Sequence, residues 1–239
     1  MAQLAATDVA DAAVTRFAVL VPLKSTRRGK SRLALPADRR SAMAAAMALD
    51  TVDAVRRCTL VAGVLVLIEE PSDARLFDDG DFDDAATPAS IRVHQCHTDG
   101  IDAALTEGAR LLAADGWRGP VAALPADLPF LRATDLEAVL RCASAASSVV
   151  ADAEGSGTTL LTAPDARSLR PSYGPDSFRR HQRSGAIPVL VDPASSVRRD
   201  VDTLADLGSA ADAGLLGIRT RRVLDLWSDD GSPQVTVLR

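Results

Sequence analysis

Five cationic side chains crowd into nine positions, Lys24 to Arg32, directly after the first apolar run of the chain. Lys24 and Lys30 are its only lysines, against 25 arginines, and only 5 of the 32 acids are glutamate. A sequence that writes Arg for Lys almost everywhere has kept two ammonium groups in one seven-residue stretch. An ammonium is a compact point charge suited to a phosphate oxygen, and a planar guanidinium replaces it poorly. Gly29-Lys30-Ser31 echoes the end of a Walker A loop, but position 24, where that motif needs its first glycine, is Lys24. A long basic loop at the carboxyl end of a parallel strand is a strong anion site and can wrap a triphosphate. Lys24, Lys30, Ser31 and Arg32 are the nucleotide-binding candidates, the alternative being a merely exposed basic loop.

Two acidic spots complement this loop. Asp127 stands in Leu124-Pro-Ala-Asp-Leu-Pro-Phe, just past an apolar strand, in a turn stiffened by prolines. Hard divalent cations such as Mg²⁺ take carboxylate oxygens and keep the remaining positions for water and substrate phosphates. Asp200 and Asp202 are two apart in an extended stretch and share one side of it. Thr203 and Asp206 have the spacing of a capping box. Capping leaves Asp200 unexplained, so Asp200 is the candidate second metal carboxylate. A third constellation joins Gly155-Ser-Gly-Thr-Thr to Pro171-Ser-Tyr-Gly-Pro-Asp-Ser-Phe-Arg-Arg-His181, which holds the only tyrosine, Tyr173. The hydroxyls of Thr159 and Ser177, with free N–H groups of a helix starting near Asp176, could ring a small phosphorylated or carboxylated ligand. His94 and Cys96 point to one side of a strand and His97 to the other, which argues against zinc. His181 reads as a surface or supporting residue rather than a base. No G-x-S-x-G elbow appears, which disfavours acyl transfer.

The elements that must position these residues alternate between apolar runs and helical patterns. Strands are expected at 16–22, 61–68, 91–95, 120–124, 148–151, 158–162 and 187–191. Helices are expected at 36–57, 101–114, 133–143, 176–184 and 203–213. That alternation means an α/β fold with a mostly parallel, doubly wound sheet in one domain spanning 1–239. Residues 1–15 form an N-terminal extension and about 218–239 a tail, either an edge strand or loose. The segment 69–84, with eight acids and one arginine, reads as a solvated loop or short acidic helix. A net charge of −5 argues against nucleic acid as partner, and no apolar run nears the roughly 18 residues of a membrane span. The N-terminus lacks the features of a signal peptide. Three dispersed cysteines without a CxxC point to a reducing, cytoplasmic setting.

Together, the P-x-K-x(5)-K-S-R-L loop, the A-D-L-P turn, the G-T-x-x-L segment, S-Y-G-P-x-S-F-x-x-H and D-V-D-T-x-x-D-L resemble the guanylyltransferases of coenzyme F420 biosynthesis, over about 17–217. That family includes 2-phospho-L-lactate guanylyltransferases and their phosphoenolpyruvate-using counterparts. The resemblance implies a nucleotidyltransferase-type, Rossmann-like three-layer fold and transfer of GMP from GTP to phosphoenolpyruvate. The product is enolpyruvoyl-2-diphospho-5′-guanosine, with pyrophosphate released. Alternatives are 2-phospho-L-lactate or 3-phosphoglycerate as acceptor, another nucleotidyltransferase, or a non-catalytic nucleotide-binding module. Position by position, it implies that Thr159, Gly174 and Ser177 bind phosphoenolpyruvate. Asp127 and Asp200 match the Mg²⁺ carboxylates, with Lys24 catalytic beside them. A downstream transferase of the same pathway is an expected partner. One departure stands out: Asp102 replaces the amide of the family's G-L-N-A-A-L.

Overall fold

The first strand builds both faces of the structure. A computed structural model describes residues 15–78, 82, 89–143, 146–211 and 214–229. Every residue of β1 (Phe17–Leu23) is buried. Its odd positions Phe17, Val19, Val21 and Leu23 join one apolar cluster, while Ala18 and Leu20 join another. This is the period-two alternation of a strand covered on both sides. The other strands are β2 (Val61–Ile68), β3 (Ser90–Gln95), β4 (Val121–Ala123), β5 (Ser148–Ala151), β6 (Thr158–Ala163) and β7 (Ile187–Pro188). They form one sheet in the order β3-β2-β1-β4-β6-β5-β7. All neighbours are parallel except β6, which runs antiparallel to both β4 and β5. The expected mostly parallel α/β sheet is thus observed.

Helices α1 (Ala37–Arg57) and α4 (Ala133–Cys142) pack with the first cluster, and α3 (Ile101–Ala114) with the second. The chain lays down β1, β2 and β3 in one direction and then returns to place β4 on the other side of β1. The loops leaving β1 and β4 therefore diverge at a topological switch point, where α/β sheets bind ligands. Pro22 tolerates this central position because the Leu20 carbonyl accepts from Leu124, one residue past the end of β4. Two residues further on, Pro22 lies on the same side but beyond β4, so its missing N–H breaks no ladder bond.

Three expectations change. The segment from 218 is neither strand nor loose up to 229, because Ile218–Asp229 forms a helix, α7. Val223, Leu224 and Trp227 pack it onto a third cluster with Leu33, Met43 and Met47. Residues 1–14 and 230–239 of the two termini lie outside the described residues. The acidic segment contains a 3₁₀ turn at Pro71–Ala74 and the short helix α2 (Arg75–Asp78). Asp73 is 4% exposed and is no solvated charge. The last expected strand also stops early, at Pro188 rather than 191.

Candidate active site

The loop after β1, the turn after β4, the β5–β6 turn and the segments 173–177 and 200–202 enclose a cavity of about 680 Å³. That lies within the usual range for small-molecule sites. The acidic segment shapes its basic side. Glu69 accepts from the Ser25 N–H at 3.1 Å, and buried Asp73 accepts from Thr26 N–H at 3.1 Å and Thr26 Oγ1 at 2.8 Å. Arg28 and Gly29 donate back to the Ser25 carbonyl, closing the loop on itself. Lys30 adopts the left-handed conformation at φ 55°, strained for a residue with a side chain. Lys24, Lys30, Ser31 and Arg32 all line the cavity, as does Ser25, whose buried hydroxyl lacks a hydrogen-bond partner among the described residues.

Lys30 is not a free cation. Its ammonium lies 2.5 Å from Asp127 Oδ2, 3.0 Å from Asp202 Oδ1 and 2.5 Å from the Val201 carbonyl. Burial alone would lower the Lys30 pKa, and the two carboxylates outweigh it and hold it above its ordinary value. Burial likewise works against the Asp202 carboxylate, and Lys30, with Arg32 at 3.2 Å, keeps its pKa below the ordinary value. Asp127 Oδ1 is buried and finds no partner among the described residues. Asp200 also lines the cavity, pushed up to about 7 by burial first and then by Asp127, Asp202 and Asp152. The extended stretch carrying Asp200 and Asp202 is fixed by the Val201 N–H bond to the Asp127 carbonyl. Thr203 and Asp206 cap the following helix α6 (Leu204–Ala211) reciprocally, as their spacing predicts. Asp202 and Asp152 were not among the expected ligands, although the i, i+2 pairing with Asp200 pointed to Asp202.

The raised Asp200 has a consequence for stability. A carboxyl whose folded pKa exceeds its unfolded value stabilises while protonated, and that contribution fades as pH rises from about 4 through about 7. Asp200→Asn will therefore stabilise the metal-free protein at about pH 8, by roughly 2 kcal/mol after discounting for residual solvent contact, and far less at about pH 5. Thermal unfolding at the two pH values checks this. Equal shifts at both would show that Asp200 is not a strained carboxylate.

The opposite wall comes from β6 and helix α5 (Ser177–Arg183). Gly174 and Ser177 line the cavity, and Thr159 does not. Thr159 is 1% exposed and its hydroxyl has no partner among the described residues, while the hydroxyl of the cavity-lining neighbour Thr158 bonds Ser177 and His181. Side chains alternate along a strand, so one position decides which side a hydroxyl serves. The expected free N–H groups at the helix start are largely used: Ser177 donates to the Gly174 carbonyl and Phe178 to that of Ser156. Hydroxyls rather than the helix end are what this wall offers a ligand. Gly174 sits at φ 107°, which L side chains rarely adopt. At Gly157 an added Cβ would fall 2.2 Å from Asp152 Oδ2, which accepts that residue's N–H. Asp102 Oδ1 accepts from the Tyr173 N–H at 2.8 Å, so the acid at the family's amide position pins this segment. Tyr173 Oη adds a bond to the Ala123 carbonyl, and Arg180 holds the carbonyls of Ser172 and Tyr173. His181 is fully buried, not a surface residue.

Away from the cavity, His94, Cys96 and Glu107 bring donor atoms within 4.8 Å of one another. His94 Nε2 and Glu107 Oε1 satisfy each other at 2.7 Å, Thr98 takes the other Glu107 oxygen, and burial first pushes the Cys96 thiol up to about 11. The cluster reads as a structural hydrogen-bonded pair. No helix among the described residues is long and apolar enough to cross a membrane.

The sheet order and a switch-point cavity lined by the lysine loop and converging carboxylates define the class: this is a nucleotidyltransferase-type fold. A 4-diphosphocytidyl-2C-methyl-D-erythritol synthase from Anaerococcus prevotii superposes with a TM-score of 0.54 at 12% identity, covering 83% of this chain and 96% of that one. A cytidylyltransferase from Leptospira borgpetersenii gives 0.54 at 10% identity, covering 94% and 99%. More narrowly, residues 17–210 match the family described as guanylyl transferase CofC like, and the chain belongs to that family. Among its relatives, a phosphoenolpyruvate guanylyltransferase from Streptomyces coelicolor is 40% identical over 211 residues, 87% of this chain and 95% of the relative. One of the same name from Streptomyces scabiei is 41% identical over 213 residues, 86% and 94%.

Proposed function

We propose that this protein transfers GMP from GTP to phosphoenolpyruvate, giving enolpyruvoyl-2-diphospho-5′-guanosine and pyrophosphate within coenzyme F420 biosynthesis, where a downstream transferase takes up the product. One observation carries this reading. A chain of the guanylyl transferase family joins a lysine loop to three converging carboxylates on one side of a cavity and a hydroxyl wall on the other. A phosphate oxygen of the acceptor forms the new bond to the α-phosphorus of GTP as the bond to the β-phosphate oxygen breaks. Pyrophosphate leaves with that electron pair. The attacking oxygen is already anionic, so no base is required, and none of the cavity's groups is assigned one.

What the protein must do is bring two polyanions together and neutralise charge. Lys24, exposed at the cavity, and Arg32 are placed for the triphosphate. The buried, unpartnered Asp127 Oδ1 and the strained Asp200 are the donors a hard divalent cation needs. Mg²⁺ held by Asp127 and Asp200, with Asp202 beside them, would supply Lewis-acid neutralisation of the phosphates. Thr158, Gly174 and Ser177 then face the acceptor's carboxylate or phosphate.

The deciding experiment pairs GTP, ATP and CTP with phosphoenolpyruvate, 2-phospho-L-lactate and 3-phosphoglycerate in Mg²⁺, following pyrophosphate release and product mass. GTP with phosphoenolpyruvate should dominate; preference for another pair would replace this assignment. The hydroxyl wall gives a sharper test. Thr158→Val should raise the acceptor KM on the order of ten- to hundred-fold, the loss of one hydrogen bond to a charged group. Thr159→Val should leave it unchanged, its hydroxyl being buried away from the cavity. The reverse ranking would return the acceptor contact to Thr159.

A further inference from the structure

We propose that His181 is a positioning residue for the acceptor: held as the Nδ1–H tautomer by the Ser172 N–H, it makes the Thr158–Ser177 hydroxyl pair present a proton to the anion in the cavity. The inference rests on the reading of this wall as the acceptor's side. It adds the residue that sets the wall's polarity.

The argument is a count of protons. The Ser172 backbone N–H donates to His181 Nε2 at 2.8 Å. A backbone amide cannot accept through its nitrogen, so Nε2 carries the lone pair and the proton sits on Nδ1. Nδ1 lies 3.0 Å from Thr158 Oγ1, which therefore accepts from the ring. Ser177 Oγ lies 3.2 Å from the same Thr158 oxygen. The two hydroxyls own two hydrogens and spend one on each other, in whichever direction it points. Thr158 spends nothing on the ring, so one hydrogen remains, and both residues line the cavity. With the opposite tautomer, Thr158 would donate to Nδ1, Ser177 would donate to Thr158, and no hydrogen would remain for a ligand. The pair would then offer lone pairs to an anion and repel it.

The surroundings keep the ring in this state. His181 is 0% exposed. Burial is the main force holding its pKa below the ordinary value, with Arg180 acting the same way and Asp102 opposing. A neutral ring is also what the Ser172 bond requires. Tyr173 meets the imidazole edge-on, with centroids 5.2 Å apart. Asp102 and Arg180 hold the N–H and the carbonyl of the Ser172–Tyr173 peptide, and Arg180 also holds the Tyr173 carbonyl, which anchors the backbone next to the donor that selects the tautomer.

Two measurements test this on the full chain. Long-range ¹H–¹⁵N spectra of ¹⁵N-histidine-labelled protein, with His181 assigned by its loss in His181→Asn, should show a neutral ring protonated at Nδ1. A ring protonated at Nε2 overturns the proposal. In kinetics, His181→Leu should raise the acceptor KM on the order of ten- to hundred-fold with the GTP KM unchanged. His181→Asn, whose amide can donate from the δ position, should recover most of that loss. In a Thr158→Val background, His181→Leu should add little. A merely structural histidine would raise both KM values, and Asn would then do no better than Leu; either result refutes the positioning role. Failure of the functional reading looks different, as wild-type protein inactive on every phospho-acid of the panel.

Discussion

Asp127→Asn will leave the protein folded and lower turnover at saturating Mg²⁺ and substrates by roughly a hundred- to a thousand-fold, the usual effect of removing one preorganised electrostatic group from a reacting centre. The fold survives because other residues hold the turn. Thr51 Oγ1 accepts from the Leu128 N–H at 3.0 Å and contacts the Ala126 carbonyl, and the Asp127 carbonyl accepts from Val201. None of these bonds involves the Asp127 side chain, and Asn matches its size. What the substitution removes is charge at the one carboxylate that, among the described residues, has both a committed oxygen, bonded to Lys30, and a buried, unpartnered one. Pyrophosphate release and circular dichroism on the same samples separate the two effects. Near-wild-type rates would remove Asp127 from the centre of the reaction.

Much of the frame around Asp127 was legible in the chain. Val61–Ile68, Ile101–Ala114 and Ser148–Ala151 are observed with the bounds their periodicity predicts. Doubly covered strands are continuous apolar runs, so their ends locate the switch point and the loops around it. The cationic loop and Asp127 were legible for the same reason, since each immediately follows such a run.

What stayed hidden depends on partners distant in sequence. Helix α7 begins after Gly217 with no capping side chain of its own. Asp50 of α1 supplies it, accepting from the N–H groups of Arg219 at 3.1 Å and Thr220 at 2.8 Å. Without that cap in view, a mixed-charge tail reads as loose, although Val223 and Trp227 already stood one helical turn apart. Asp73 was lost among the acids of its segment because its value lies in Thr26, far along the chain. The choice of Thr158 over Thr159 turns on strand phase beside an irregularity in β5 at Val150/Ala151. A shift of one residue exchanges the two faces of a strand, and composition carries no record of it.

Lys30 shows how the loop and the carboxylates work as one unit. Lys30→Met keeps the length of the side chain and removes its charge. Asp127, Asp200 and Asp202 then face one another without the ammonium that bridges two of them. Removing one partner from a buried ion pair costs about 3–5 kcal/mol; with Asp202 47% exposed, the metal-free variant should lose roughly 2–3 kcal/mol instead. Added Mg²⁺ should narrow the gap, because a divalent cation bound to the same oxygens compensates the charge that Met cannot. Turnover should show the other half of the role, with the GTP KM rising far more than the acceptor KM. Lys24→Met, at an exposed position, should share the GTP effect without the loss of stability. Thermal unfolding with and without Mg²⁺, alongside both KM values, resolves the two lysines. If Lys30→Met were as stable as wild type in metal-free buffer, the ammonium would not be the resident counterion of these carboxylates. If only the acceptor KM rose, the loop would serve the phospho-acid and the two sides of the cavity would exchange their substrates.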